Sequence, residues 1–111
     1  MKKLFKCSVC SFIWEGDKAP DVCPKCGQPH EKFNELSQEI VDKVYQSEET
    51  NDIHMKIISF MNEAIELAKK GVEINLDPPC VGGFKKTINE CYIIKQISKA
   101  EIENHIGKGK W

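Results

Sequence analysis

From Ser37 onward apolar residues recur every three or four positions, the period of a helix with one buried face. Ser37 is placed to cap the first helix, with Ile40, Val41, Val44 and Tyr45 on one side. The polar run Gln46 to Asn51 reads as a linker, and Asn51 or Asp52 as the cap of the next helix. That helix carries the stripe Ile53, Ile57, Met61, Ala64, Ile65 and Ala68. Gly71, after Lys69 and Lys70, reads as its stop, because cations favour the negative helix end and glycine accepts a left-handed cap. Asp77-Pro78-Pro79 must interrupt any helix. A further helix is expected from about Val81 to Phe84 onward, turning Phe84, Ile88, Cys91, Ile94 and Tyr92 inward. Ser98 and Glu101 have the spacing of a capping box, so a new short helix or a kinked continuation is expected as far as Ile106. The tail from Gly107 to Trp111 is expected to fray unless Trp111 packs back.

The first 36 residues show no such period. They hold four of the six cysteines and three of the five prolines, Pro20, Pro24 and Pro29, with Gly16 and Gly27 where tight turns need them. Six lysines face five acids in this segment, so it is no polyelectrolyte. The change of texture divides the 111 residues into a small domain over 1–36, a helical linker over 37–50 and an α-helical region over 51–111.

Apolar residues make up 41% and charged residues 30% of the chain, which argues for a folded protein rather than wholesale disorder. The net charge is −1, so no global field draws the chain to nucleic acid or to an anionic membrane. All sixteen basic residues are lysine, which lacks the planar fork that reads phosphates and guanine edges; nucleic acid is not an expected partner. Lys2, Lys3, Lys6 and Lys25 read instead as a solvated face or a docking patch for an acidic partner. No apolar run reaches the roughly 20 residues that span a bilayer. The basic opening lacks an apolar segment after it, so no secretory signal is expected and the cytoplasm is the expected location. In a reducing compartment paired cysteines point to metal or redox chemistry rather than to disulfides.

The cysteine pattern is Cys7-x2-Cys10-x12-Cys23-x2-Cys26. Each Cys-x-x-Cys can form a knuckle that aims two sulfurs at one ion, and two facing knuckles make a tetrahedral site of four sulfurs suited to zinc or to a single iron. So small a domain has too little core to fold unaided, so the metal must supply most of its folding free energy. A thioredoxin-type dithiol would need a βαβ setting, which this segment lacks.

The non-cysteine residues carry a resemblance. Glu15-Gly16, Ala19-Pro20, Cys23-Pro24-Lys25-Cys26-Gly27, Pro29 and Phe33 follow in the order seen in the rubredoxin-like domain of rubrerythrins, which the stretch from Phe5 to Pro29 resembles. The resemblance implies a small knuckle domain with short antiparallel β structure. It implies Cys7, Cys10, Cys23 and Cys26 as ligands of one iron cycling between Fe(II) and Fe(III), with zinc as the alternative, especially in recombinant protein. By the same resemblance Cys10 and Cys26 lie nearest the surface and form the electron exit. Phe12, Trp14, Val22 and Phe33 are candidates for the shell that keeps the site dry. One departure stands out: Ser11 occupies the position after the first knuckle where the family usually has glycine. A left-handed residue there costs serine more than glycine, so the knuckle is expected to be distorted or tuned.

Rubrerythrins join this domain to a di-iron helical bundle, which needs Glu-x-x-His motifs. Gly27, Asn51 and Ile102 stand three residues before His30, His54 and His105, so the chain has no such motif. Glu63 and Glu66 read as a solvated helix face. Cys80 and Cys91 read as small buried hydrophobes, with a second metal site beside His54 or His105, or a redox pair, as alternatives. The helices are expected to pair as a hairpin or bundle region, and the wide apolar stripe leads us to expect a homodimer. The chain as a whole reads as an electron-transfer protein rather than an enzyme, served by a flavin or iron–sulfur reductase. The alternative is a structural zinc ribbon whose helices bind a protein partner.

Overall fold

The computed structural model describes residues 2–111, which divide into two compact units, Met1–Tyr45 and Gln46–Trp111. The first unit is built on a three-stranded antiparallel sheet of order β2-β1-β3, with β1 at Lys3–Cys7, β2 at Ile13–Gly16 and β3 at Phe33–Glu35. In β1 successive side chains point to opposite faces. Phe5 and Cys7 therefore share one face, and Leu4 lies on the other; all three are buried. Phe5 pairs with Trp14 and Glu35, and Cys7 pairs with Phe33. A 3-10 turn at His30–Lys32 leads into β3.

Helix α1 follows at Gln38–Ile74, and its first turns belong to the same unit. Ser37 does cap it: Ile40 N–H donates to Ser37 Oγ at 3.4 Å. Tyr45 Oη donates to the Lys2 carbonyl at 3.2 Å and Val41 is buried, tying this end of α1 to the start of β1.

The second unit is a hairpin of two long helices, the rest of α1 and α2 at Pro78–Gly107. Its boundaries differ from the sequence expectation in four places. The run Gln46 to Asn51 is helical and no break or new cap occurs there. Glutamate costs a helix little, and the poorer helix formers are compensated by packing: Ser47 is buried, and Asn51 Nδ2 donates to the Lys110 carbonyl at 2.9 Å while its Oδ1 meets His105 Nδ1 at 2.6 Å. Gly71 does not end α1 but lies buried within it. The helix stops at Asn75, which takes the left-handed conformation at φ 53°.

Helix α2 starts at Pro78, a few residues earlier than its apolar period announces. Asp77 caps it by accepting from Cys80 N–H at 2.8 Å, and Pro78 and Pro79 fill the first helical positions, where no N–H is needed. The Ser98 capping box does not form, and α2 continues uninterrupted through it. Ser98 is buried instead, with its hydroxyl 3.0 Å from His54 Nδ1 across the hairpin.

Along the hairpin the inner side of α2 is Phe84, Ile88, Cys91, Ser98, Ile102 and His105, all buried or half-buried. Ile94 and Tyr92, expected inside, are exposed, and so is Ile53 of the expected α1 stripe. Cys80 and Cys91 are half-buried on α2. The tail is held rather than frayed. Lys110 N–H returns to the His105 carbonyl at 2.7 Å, and Trp111 is half-buried beside Asn51, Met55, Ile102 and Ile106.

Among the described residues no helix is long and apolar enough to cross a membrane.

Candidate metal centre

Two equivalent loops present the four cysteines. In the first, Cys7 N–H donates to the Phe12 carbonyl at 2.8 Å and Ser11 N–H to the Cys7 carbonyl at 3.0 Å. In the second, Cys23 N–H donates to the Gln28 carbonyl at 2.8 Å and Gly27 N–H to the Cys23 carbonyl at 2.9 Å. The same bonds recur at the same offsets, so each Cys-x-x-Cys closes into the same tight turn. The turn requires a left-handed residue after its second cysteine. Gly27 supplies it at φ 80° without cost, and Ser11 supplies it at φ 67°. The serine is thus strained as its position in the pattern implies, since a Cβ in this region costs about 1–2 kcal/mol. Ser11→Gly is expected to stabilise the metal-loaded N-terminal unit by about 1 kcal/mol, the relief being offset in part by the greater freedom of glycine in the unfolded chain. Thermal unfolding of the metal-loaded chain followed by near-ultraviolet circular dichroism measures this; a variant of lower stability would contradict it.

The two knuckles bring the four Sγ atoms within 4.8 Å of one another. Cys7 and Cys26 sulfurs are 3.7 Å apart, and those of Cys10 and Cys23 are 3.6 Å apart. A disulfide would require roughly 2.0 Å. A tetrahedral ion with sulfur ligands at about 2.3 Å sets its S···S edges at about 3.8 Å. Two of the S···S separations match such an edge, and all four sulfurs are close enough to share one ion. Among the described residues these are the only cysteines, histidines or carboxylates that gather in such a group. His54 and His105 engage Ser98 and Asn51 instead, and Glu63 and Glu66 are exposed.

Burial separates the ligands into two kinds. Cys7 and Cys23, the first of each knuckle, are 0% and 2% exposed, whereas Cys10 is half-buried and Cys26 exposed. Cys7 and Cys23 form a core with Phe5 and Phe33, and Phe12, Trp14 and Ala19 pack on it. The Phe12 and Trp14 rings lie 6.5 Å apart. Val22, expected in this shell, is exposed: it sits in an isolated bridge to Pro29 and points outward. Phe5 takes its place, a residue whose position beside Cys7 on the inner face of β1 follows from the two-residue alternation of strands.

Backbone dipoles prepare this sulfur cluster for a cation. The N–H of Cys10, joined by that of Val9, holds the Cys7 thiol below its ordinary range against the opposing effect of burial. Burial raises the Cys23 thiol, but the N–H groups of Cys26 and Lys25 and the sulfurs of Cys10 and Cys26 outweigh it and bring it down to about 6. The N–H of Gln28 lowers Cys26, yet desolvation and the crowding sulfurs of Cys10, Cys23 and Cys7 win and push it up to about 12. Four adjacent thiolates cannot all ionise without a positive charge among them.

Loading at neutral pH must therefore expel the Cys26 proton, while Cys23 is already mostly thiolate. Affinity for zinc is expected to fall as pH is lowered, and more steeply below about 6, where Cys23 also takes up a proton. Competition with a chelator at several pH values on either side of 6 checks this; a pH-independent affinity would contradict it.

The geometry has counterparts among known proteins. Residues 5–34 match the family described as rubrerythrin, rubredoxin-like domain. Reverse rubrerythrin-1 of Clostridium acetobutylicum is 51% identical over 39 residues, which are 35% of this chain and 21% of that protein. Rubrerythrin-1 of the same organism is 47% identical over 36 residues, 32% of this chain and 18% of that protein. Rubrerythrin of Clostridium perfringens is 53% identical over 30 residues, 27% of this chain and 15% of that protein. The chain spans about a fifth of the length of the curated relatives it matches, and no solved structure matches it. The likeness is confined to the N-terminal segment. That segment is a rubredoxin-like domain of the rubrerythrin type, with a four-cysteine metal-binding site, joined to a helical hairpin without the di-iron motif.

Proposed function

We propose that the four-cysteine centre holds one iron ion and that the chain is a one-electron carrier rather than an enzyme. The observation that carries this reading is the uneven burial of the ligands: two sulfurs are sealed in an aromatic core, while Cys26 lies at the surface and Cys10 close to it. Iron in such a site supplies a single electron by cycling between Fe(II) and Fe(III). The protein's part is to hold four thiolates at fixed separation, to direct N–H groups at their sulfurs and to keep water from the inner side. A sulfur at the surface lets a partner approach to short range, whereas a purely structural ion gains nothing from that exposure.

The partner in this reading is a redox protein, a flavin or iron–sulfur reductase, docking over the rim of Cys10 and Cys26. Lys25 lies at that rim, 3.4 Å from the Cys10 carbonyl, and favours an acidic surface. A cytoplasmic location is part of the same proposal.

Purification without oxygen from the native host, followed by metal analysis and visible spectra, tests the reading. One iron per chain is expected, with thiolate-to-Fe(III) charge-transfer bands that bleach on dithionite and return in air. A colourless protein with one zinc and no reversible voltammetric wave would overturn it and leave a structural zinc ribbon whose helices bind a partner.

A further inference from the structure

The helical unit has almost no core of its own. Among the described residues of Gln46–Trp111, Ala68 carries the only buried apolar side chain, while eleven large apolar side chains are exposed. A single seam between two helices accounts for this. On α1 the seam runs through Asn51, His54, Ile58, Met61, Ile65 and Ala68 at alternating intervals of three and four. A second apolar row precedes it by one position: Ile53, Phe60, Leu67 and Ile74. On α2, Ile97 stands one position before the inner residue Ser98, and Ile94 one position before the half-buried Lys95, which continues the seam between Cys91 and Ser98. In an antiparallel pair the positions just before the seam fall on the same side of both helices. The six residues therefore make one strip along one face of the hairpin, each between 44% and 70% exposed. The positions just after the seam on α1, such as Asp52, Asn62, Glu66, Lys69 and Glu73, make the other face largely polar.

We propose that this strip seats the same strip of a second copy of the chain, closing a four-helix bundle. The area is of the right size. Taking roughly 200 Å² for a fully exposed large apolar residue, the value that holds for aromatics, the six expose at most about 700 Å² per protomer, a little under the ~800 Å² per partner of a standard stable interface. The shape is also self-matching. From Ile53 to Ile74 the row extends about 30 Å at the helical rise, so its occupant must be a helix pair of similar length with apolar residues at similar intervals. A second hairpin meets both requirements through a symmetric contact. The border on α1 carries both signs, with Glu63 between Lys56 and Lys70, which suits a protein rather than an anionic lipid surface or nucleic acid. The proposal is independent of which metal the N-terminal unit holds.

Sedimentation equilibrium of the metal-loaded full chain at micromolar concentration tests it. A mass twice 12.7 kDa is expected. Phe60→Lys combined with Ile97→Lys is expected to weaken association at least ~100-fold, with the metal content of the chain unchanged, while Tyr92→Lys on the other side of α2 leaves the dimer intact. Should the double variant lose its helices, the wild type still decides: a dimer has a melting temperature that rises with protein concentration, and a monomer does not. A monomeric wild type, including one that associates only with a different protein, overturns the proposal. So does a dimer that survives the double substitution or dissociates equally with Tyr92→Lys.

Discussion

Cys23→Ser is expected to unfold the N-terminal unit and to lower its metal affinity by roughly a thousandfold or more. Cys23 is one of two fully buried side chains at the centre of a core that otherwise rests on Phe5 and Phe33. Its sulfur receives N–H groups from Cys26 and Lys25 and faces Cys10 at 3.6 Å. A serine oxygen is a poorer ligand for a soft site, stays protonated at neutral pH and would leave a buried hydroxyl among aromatic rings. Metal binding in such small domains supplies about 10–16 kcal/mol, against a net stability that the apolar core alone brings close to zero. Losing a large share of that energy exceeds what the sheet can absorb.

Near-ultraviolet circular dichroism of Trp14 and its neighbours should collapse, and a strong chelator should produce the same change in the wild type. The far-ultraviolet helical signal of the second unit should persist in both. Cys26→Ser should be milder, because Cys26 is exposed and water can occupy its place. An N-terminal unit that keeps its fold as Cys23→Ser without metal would refute the dependence.

Gly71→Leu is expected to destabilise the helical hairpin by about 3 kcal/mol. Gly71 looks like a helix terminator, but its place is a close approach: a Cβ there would clash with the edge of the Phe84 ring. Helix propensity alone predicts a gain of about 1 kcal/mol for replacing an interior glycine; the clash reverses the sign. The pair supplies its own control. Phe84→Ala alone removes packing and destabilises, yet in the Gly71→Leu background it should restore part of the lost stability, because it clears the space the leucine needs. Thermal unfolding of the four proteins measures the coupling, and simple additivity of the two changes would show that the contact is not what keeps residue 71 small.

Much of the site is legible in the chain because its determinants are local. Two knuckles four residues wide, the glycine-like demand at position 11 and the cap at Ser37 each depend on neighbours within a few residues, and the structure places all of them as the pattern implies. The relatives match the same stretch and little beyond it. The helix boundaries are less legible for the opposite reason. Gln46 to Asn51, Gly71 and Ser98 carry local signals for a linker, a stop and a start, and each is overruled by a partner far along the chain: Lys110 and His105 for Asn51, Phe84 for Gly71, His54 for Ser98.

Residue order alone settles which sulfurs meet, since the spacing of Cys7, Cys10, Cys23 and Cys26 leaves two short turns little choice of geometry. It also settles that the chain must break at Asp77-Pro78-Pro79, because proline removes the N–H and the space a continuing helix needs. Long-range packing supplies what no local pattern contains. It sets which ligands lie open, because Phe5 and Phe33 close over Cys7 and Cys23 only when β1 and β3 pair. It also chooses which of two apolar rows on α1 turns inward, because helical periodicity places both on amphipathic faces and only the packing of α2 distinguishes them.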